Sequence, residues 1–179
     1  GGANDNRFFG NDFSFAPTNG IEATFSRNRF IANTVEGNDH GVWGGYSYES
    51  LITGNCFARN RVGIAIEHGQ DIAITRNAFR GDTNAIYLWA NPVEPSDWVY
   101  PKKRDTRSRD FRINDNTFRG HRTTWRIAQT APLDTARNRV TASDAEYEAD
   151  AAANTGASTN ASTRCDPRAL LGAAYDSLA

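Results

Sequence analysis

The chain has 179 residues, 20 Lys and Arg against 21 Asp and Glu, and a formal net charge of −1. That near-neutrality gives no global case for a nucleic-acid partner or an acidic membrane surface, and no apolar run approaches the roughly 18 residues needed to span a bilayer. Ten Phe, six Tyr and four Trp argue against wholesale disorder, while 17 Asn and no Met stand out. Without an initiator Met, the chain reads as beginning at a processed end or inside a longer sequence.

The Asn surplus is periodic. In chain order, Asn-x-Phe occurs at Asn6-Arg7-Phe8, Asn28-Arg29-Phe30, Asn55-Cys56-Phe57, Asn77-Ala78-Phe79 and Asn116-Thr117-Phe118, with a weaker copy at Asn138-Arg139-Val140. The anchor spacings are 22, 27, 22, 39 and 22. This reads as a 22-residue unit with two insertions, 5 residues near 34–40 and 17 residues from Pro92 to about Arg109. Between the anchors, apolar and polar residues alternate over short stretches, as in Gly63-Ile64-Ala65-Ile66-Glu67 and Asp71-Ile72-Ala73-Ile74-Thr75. That is strand periodicity. Strands so short cannot form a sheet alone, but identical units can stack. The expectation is an all-β parallel solenoid of about six coils over residues 1–140, each rising about 4.8 Å. Phe then forms an interior stack and Asn a ladder, since Asn tolerates a left-handed backbone and its amide bonds the next coil.

Residues 141–165 are rich in Ala, Ser, Thr, Asn and acid and read as a linker or strap. From Asp166-Pro167 to Tyr175 the sequence has the form of an N-capped short helix with Pro in its first turn. This tail, 141–179, is expected to lie over the C-terminal coils, where an open solenoid end needs cover. The first coil starts almost at once, so a further chain or domain is expected over the N-terminal coil. Cys56 and Cys165 would meet only if the tail folded back beside Cys56, and two separate thiols are the expectation. No CxxC or HExxH motif occurs.

The two insertions would wall one sheet. Alternation points Trp43, Glu67, Tyr87, Trp89 and Arg126 outward onto its floor. Asp39 and His40 stand on one side. Trp98, Tyr100, Lys102, Lys103 and Arg104 stand on the other, and His68 ends the middle strand. Exposed aromatic rings in a row are costly unless used or covered. They suit stacking on sugars, with acids and guanidinium groups on the hydroxyls; the competing reading is that the 92–109 loop folds down and buries them. Glu67 with His68 would supply acid–base chemistry. A glycosidase needs a second carboxylate about 5–9.5 Å away, and Asp39 is the first candidate, with Asp71 or Glu49 behind it. Alternatively Lys103, His40, His68 or Tyr100 removes a proton from a uronate, whose carboxylate the Lys102-Lys103-Arg104 run neutralises, as in a lyase or epimerase. Residues 102–126 carry net +6 and residues 141–179 net −4, so the overall neutrality is a cancellation. No cofactor is expected. Stacked acids at Glu22, Glu49, Asp71 and Asp110 would either open turns or hold Ca²⁺.

The repeated N-x-F-x-x-N coils resemble the right-handed parallel β-helix repeat family, which includes periplasmic copper-site maturation proteins and many carbohydrate-active enzymes. The resemblance covers about residues 4–140. It implies a right-handed superhelix, a secreted or periplasmic setting and a polymeric carbohydrate across one exposed sheet, and it transfers no catalytic residue. Asn38-Asp39-His40 is faintly similar to the Asp-Pro-His motif of mannuronan C5-epimerases, without its Pro. Three functions follow as expectations: a lyase or epimerase of an acidic glycan, a glycoside hydrolase using Glu67 and Asp39, or a non-catalytic binding or adhesion module.

Overall fold

The computed structural model describes residues 3–22, 24, 26–142, 145–149 and 165–179. Each 22-residue unit makes one coil. Coil one carries β1 (Arg7–Phe9) and β2 (Asn19–Glu22); coil two, β3 (Arg29–Ile31), β4 (Thr34–Glu36) and β5 (His40–Gly45). Coil three has β6 (Leu51–Thr53), β7 (Cys56–Ala58) and β8 (Val62–Glu67); coil four, β9 (Ala73–Thr75), β10 (Ala78–Arg80) and β11 (Asn84–Trp89). After a loop bearing α1 (Tyr100–Lys103), coil five adds β12 (Phe111–Asn114), β13 (Thr117–Arg119) and β14 (Thr123–Ala128). Coil six adds β15 (Leu133–Ala136), β16 (Arg139–Thr141) and β17 (Ala145–Ala149). Corresponding strands pair in parallel into sheet A (β1-β3-β6-β9-β12-β15), sheet B (β4-β7-β10-β13-β16) and sheet C (β2-β5-β8-β11-β14-β17). This is a right-handed parallel β-helix.

The core is a set of columns. Sheet B aligns Val35, Phe57, Phe79, Phe118 and Val140. Its rings stack at 4.7 Å (Phe57–Phe79) and 4.8 Å (Phe79–Phe118), the inter-strand spacing itself. Sheet A aligns Phe8, Phe30, Ile52, Ile74 and Ile113, and sheet C aligns Ile21, Val42, Ile64, Ile86 and Trp125. Gly63 is required in sheet C, because a Cβ there would meet the Ala85 carbonyl at 2.6 Å.

The Asn ladder runs through Asn11, Asn33, Asn55, Asn77, Asn116 and Asn138 between sheets A and B. Asn77 shows the pattern: its N–H and Nδ2 donate to Asn116 Oδ1 at 2.9 and 3.0 Å, and Nδ2 also donates to the Ile52 carbonyl. Its Oδ1 accepts from the N–H and Nδ2 of Asn55. A second ladder, Asn38, Asn60, Asp82 and His121, lines the corner between sheets B and C.

These ladders correct the reading of a 5-residue insertion. Asn33 bonds Asn55 and Asn38 bonds Asn60, each 22 residues on. Asn6 and Asn28 precede sheet A strands, whereas Asn55 precedes a sheet B strand. Asn-x-Phe thus occurs at two corners five residues apart, and the 27-residue interval is a change of column. The 17-residue insertion stands: the ladder step from Asn77 to Asn116 is 39 residues. Asp39 therefore precedes β5 and His40 opens it, and no loop walls that side of sheet C. The acidic column loses one member and keeps three at turn positions. Glu22 lies in sheet C opposite Trp43, while Glu49, Asp71 and Asp110 are left-handed corner residues (φ 53, 54 and 58°).

The tail gives two further corrections. Cys56 and Cys165 form a disulfide with Cα atoms 5.8 Å apart. After it come α2 (Pro167–Leu171), N-capped by Asp166 through the Arg168 N–H, and α3 (Ala174–Leu178), broken from α2 at Gly172. They pack on coils one to three rather than over the C-terminal coils. Leu171 is buried with Ile31 and Ala32, beside Phe9 and Tyr175. It fits because Gly54 (φ +66°) has no Cβ; one there would lie 2.4 Å from Leu171 Cγ. Most of the expected linker, 141–165, lies outside the described residues.

Candidate functional site

Sheet C strands β5, β8, β11 and β14 are six residues long, twice the length of those in sheet B, so this is the broad face. Register places Trp43, Ala65, Tyr87 and Arg126 in one outward row and Gly45, Glu67 and Trp89 in the next. The rings of Trp43 and Trp89 meet at 5.4 Å across coil three, which leaves Ala65 with no exposed surface. Tyr87 stacks on Trp89 at 4.3 Å, Arg126 lies 4.5 Å over Tyr87, and His40 lies 5.1 Å from Trp43. The result is a continuous strip, His40–Trp43–Trp89–Tyr87–Arg126, across four coils. Its three aromatic residues are half-buried: the strip is neither a bare row of rings nor sealed beneath the 92–109 loop. Glu67 sits beside it, accepting from Trp89 Nε1 at 3.1 Å and from Asn91 Nδ2.

The carboxylate pair is not assembled. Asp39 pairs with Arg61 at one end of sheet C, and Glu67 closes β8 at the other. Six residues of strand separate Arg61 from Glu67, about 20 Å at 3.3 Å per residue, well beyond either glycosidase spacing. The Arg61 bond holds the Asp39 carboxyl below its usual range. Burial pushes the His40 imidazole down, against the opposing pull of Asp39. His40 Nε2 lies 2.8 Å from an Arg61 nitrogen and so accepts, leaving the proton on Nδ1, 3.0 Å from Asn19 Oδ1.

His68 faces away from the strip and fastens the insertion. Its Nε2 accepts from the Asn91 N–H at 3.1 Å, so Nδ1 carries the proton, donating to the Thr106 carbonyl at 2.6 Å with Glu94 Oε1 at 3.3 Å. Gln70 Nε2 donates to the carbonyls of Asp105 and Arg107. Both ends of the loop are thus stapled to one corner of the helix. Tyr46 stacks on His68 at 4.7 Å, and Trp98 packs on Tyr46 at 5.5 Å while remaining 46% exposed. Burial, reinforced by Glu94 and Glu67, pushes the Tyr46 phenol up to about 12. Arg104 lies 3.5 Å over Tyr48. Lys102 and Lys103 are exposed at the end of α1; Tyr100 begins that helix, and its side chain lies outside the described residues. Sequence reasoning missed Tyr46, Gln70, Asn91 and Glu94. Tyr46 and His68 share a left-handed corner column, one coil apart (φ 50 and 52°), and that spacing is the signal available for Tyr46. Glu94 lies inside a non-repeating loop and has none.

Fold and surface together define a short β-helix carrying an aromatic strip and one stapled loop. Residues 1–120 match the family described as periplasmic copper-binding protein (NosD), and the chain belongs to that family. No curated protein matches it. Its setting is accordingly secreted or periplasmic, an oxidising environment in which the disulfide persists. Among the described residues, no helix is long and apolar enough to cross a membrane.

The family's description raises copper, which favours thiolate, thioether and imidazole donors. The chain has three His, two Cys and no Met. His40 and His68 are committed as above. His121 accepts the Arg119 N–H at Nε2 and points Nδ1 at the Asp82 carbonyl, 3.1 Å away. Both sulfurs are in the disulfide. Among the described residues no group of three His, Cys, Asp or Glu converges, which bears on Ca²⁺ as well. As folded here, the donor set does not fit a copper ion.

Proposed function

We propose that the chain recognises a polysaccharide along the outer face of sheet C. The supporting observation is the half-exposed strip of Trp43, Trp89 and Tyr87, flanked by Glu67 and Arg126. Tyr87 stacked on Trp89 and Trp43 tilted against it offer apolar ring surface to sugars, and rigid strands position them at little entropic cost. Arg126 on one side, with exposed Lys102, Lys103 and Arg104 on the loop, favours a polymer bearing carboxylates. Recognition is the reading, because Asp39, the carboxylate expected to work with Glu67, lies at the opposite end of sheet C. Elimination or epimerisation, with Lys103 as the base, is the catalytic alternative and depends on substrate bridging the strip and the loop.

Affinity electrophoresis through gels containing a uronate polymer or a neutral glucan tests this. The wild type should be retarded by the uronate gel. Trp89→Ala should lose about 2 kcal/mol, roughly thirtyfold in affinity. Equal mobility of the two proteins in every polymer removes the reading. Accumulation of an unsaturated product absorbing in the ultraviolet would convert it to a lyase.

A further inference from the structure

The outer face of sheet B holds a cavity of about 350 Å³, at the lower end of the range for small-molecule sites. Its cause is a patch of small side chains. Register places Ala58 between Glu36 and Arg80 in one outward row, and Ala78 beside Cys56 in the other. Longer side chains and the Cys56–Cys165 bridge stand around this low floor. Glu36 is paired with Arg59 and is 23% exposed. The Arg80 side chain is exposed and makes no hydrogen bond or ion pair among the described residues. The face stays basic beyond the cavity. Arg119 lies in register beside Arg80, and Arg139 stands on the strand after it. Among the described residues, Glu36 is the one acid in the strands of sheet B, and Arg59, Arg80 and Arg139 outnumber it by two. Like charges on neighbouring strands are unfavourable, and the Asn ladders and the Phe stack hold the coils without them. An anion on this face would offset that cost.

We infer that this cavity binds the phosphomonoester of a small polyol, about the size of a hexose phosphate. The phosphate sits at Arg80, whose guanidinium offers a planar fork of N–H donors to two of its oxygens. Arg119 and Arg139, one and two strands on, add attraction from about 5 and 10 Å, within a Debye length. The excess of arginine over acid favours a dianion over a single carboxylate. The polyol lies over Ala58 and Ala78, with Thr34 at the edge of the floor. Glu36 Oε1 is taken by Arg59, which leaves Oε2 to accept from a hydroxyl. A bare phosphate would leave most of the cavity unfilled. The site is independent of the aromatic strip, which lies on a different sheet.

The test is titration calorimetry of the whole, disulfide-intact chain with glucose 6-phosphate, inorganic phosphate and glucose. Glucose 6-phosphate should bind at one site per chain, inorganic phosphate about tenfold more weakly or worse, and glucose not measurably. Arg80→Ala should weaken glucose 6-phosphate by about tenfold or more. Arg112→Ala removes an exposed arginine from sheet A and should leave the affinity unchanged. Ala58→Leu keeps every charge but fills the floor, and should bring glucose 6-phosphate down to the affinity of inorganic phosphate. All three positions point outward, so each variant should keep the wild-type circular dichroism. No binding of glucose 6-phosphate, equal affinity for it and for inorganic phosphate, or equal weakening by Arg80→Ala and Arg112→Ala overturns the proposal.

Discussion

Asp82 interrupts a ladder of amides with a carboxyl, and replacing it with Asn should stabilise the protein in a pH-dependent way. Asp82 is 1% exposed. Its Oδ1 accepts from the N–H and Nδ2 of Asn60, both at 2.8 Å. Its Oδ2 is buried with no hydrogen-bond partner among the described residues. In Asn55, Asn60 and Asn77 the corresponding amide nitrogen donates to the carbonyl 25 residues earlier, at Phe30, Val35 and Ile52. The same step from Asp82 reaches the Phe57 carbonyl, where a second acceptor is unwelcome. Burial, only partly opposed by the Asn60 bonds, pushes the Asp82 carboxyl up to about 7. The proton is therefore held in the folded state and lost in the unfolded one between about pH 4 and pH 7. Stability from this group is greatest below pH 4, falls as pH rises through that window, and is flat above it. The shift corresponds to a cost on the order of 4 kcal/mol at pH 8 and about 2 kcal/mol at pH 5. The ionisable group facing Asp82 is His121, with Nδ1 3.9 Å from Oδ2. Burial holds that imidazole below its usual range, so its contribution has the opposite sign and is lost as pH falls through about 6.5. Urea denaturation at pH 8 and pH 5 checks the prediction. Asp82→Asn should gain about 4 kcal/mol over the wild type at pH 8 and about half as much at pH 5. A loss of stability, or a gain equal at both pH values, refutes the reasoning.

Three more outcomes are expected. Asn77→Ala strands the N–H of Asn55 and the Ile52 carbonyl in the core, and at about 1–3 kcal/mol per unmet group it should cost roughly 3–5 kcal/mol in urea denaturation. Gly54→Ala adds a methyl against Leu171 at a left-handed backbone; it should loosen α2, speeding exchange of the Leu170 and Gly172 amide protons while leaving those of sheet C unchanged. His68→Ala removes the staple between Asn91 and Thr106 and should accelerate tryptic cleavage after Lys102 and Lys103 several-fold, with coil stability read separately by thermal melting.

The coil was legible because one residue type recurs wherever the geometry recurs. Asn at a corner satisfies the next coil's backbone and also tolerates the turn, so a 22-residue period survived sequence noise. Its phase was harder, since both corners use the same chemistry: Asn28-Arg29-Phe30 and Asn55-Cys56-Phe57 look alike but feed different sheets. The spacing of Asn33 to Asn55 and of Asn38 to Asn60 would have resolved it, because a real column must hold in every coil. The floor of sheet C followed from alternation alone, and Trp43, Tyr87, Trp89 and Arg126 fell in register. The destination of the tail did not follow, because it depends on a notch at Gly54 and on one covalent bond, neither of which has a period. Glu94 lies in a loop that belongs to no repeat, so its meeting with His68 has no sequence signature, whereas Tyr46 could have been read from the 22-residue step to His68.

The disulfide joins coil three to the segment beyond coil six, its cysteines 109 positions apart in sequence. Tension applied to the chain before Cys56 and after Cys165 would run through that bond and bypass everything enclosed. Coils four to six, with Tyr87, Trp89 and Arg126, would bear no load while the bond is intact. Under such tension coils one and two, with His40 and Trp43, would yield first, so the strip is divided between a part that carries load and a part that is shielded from it.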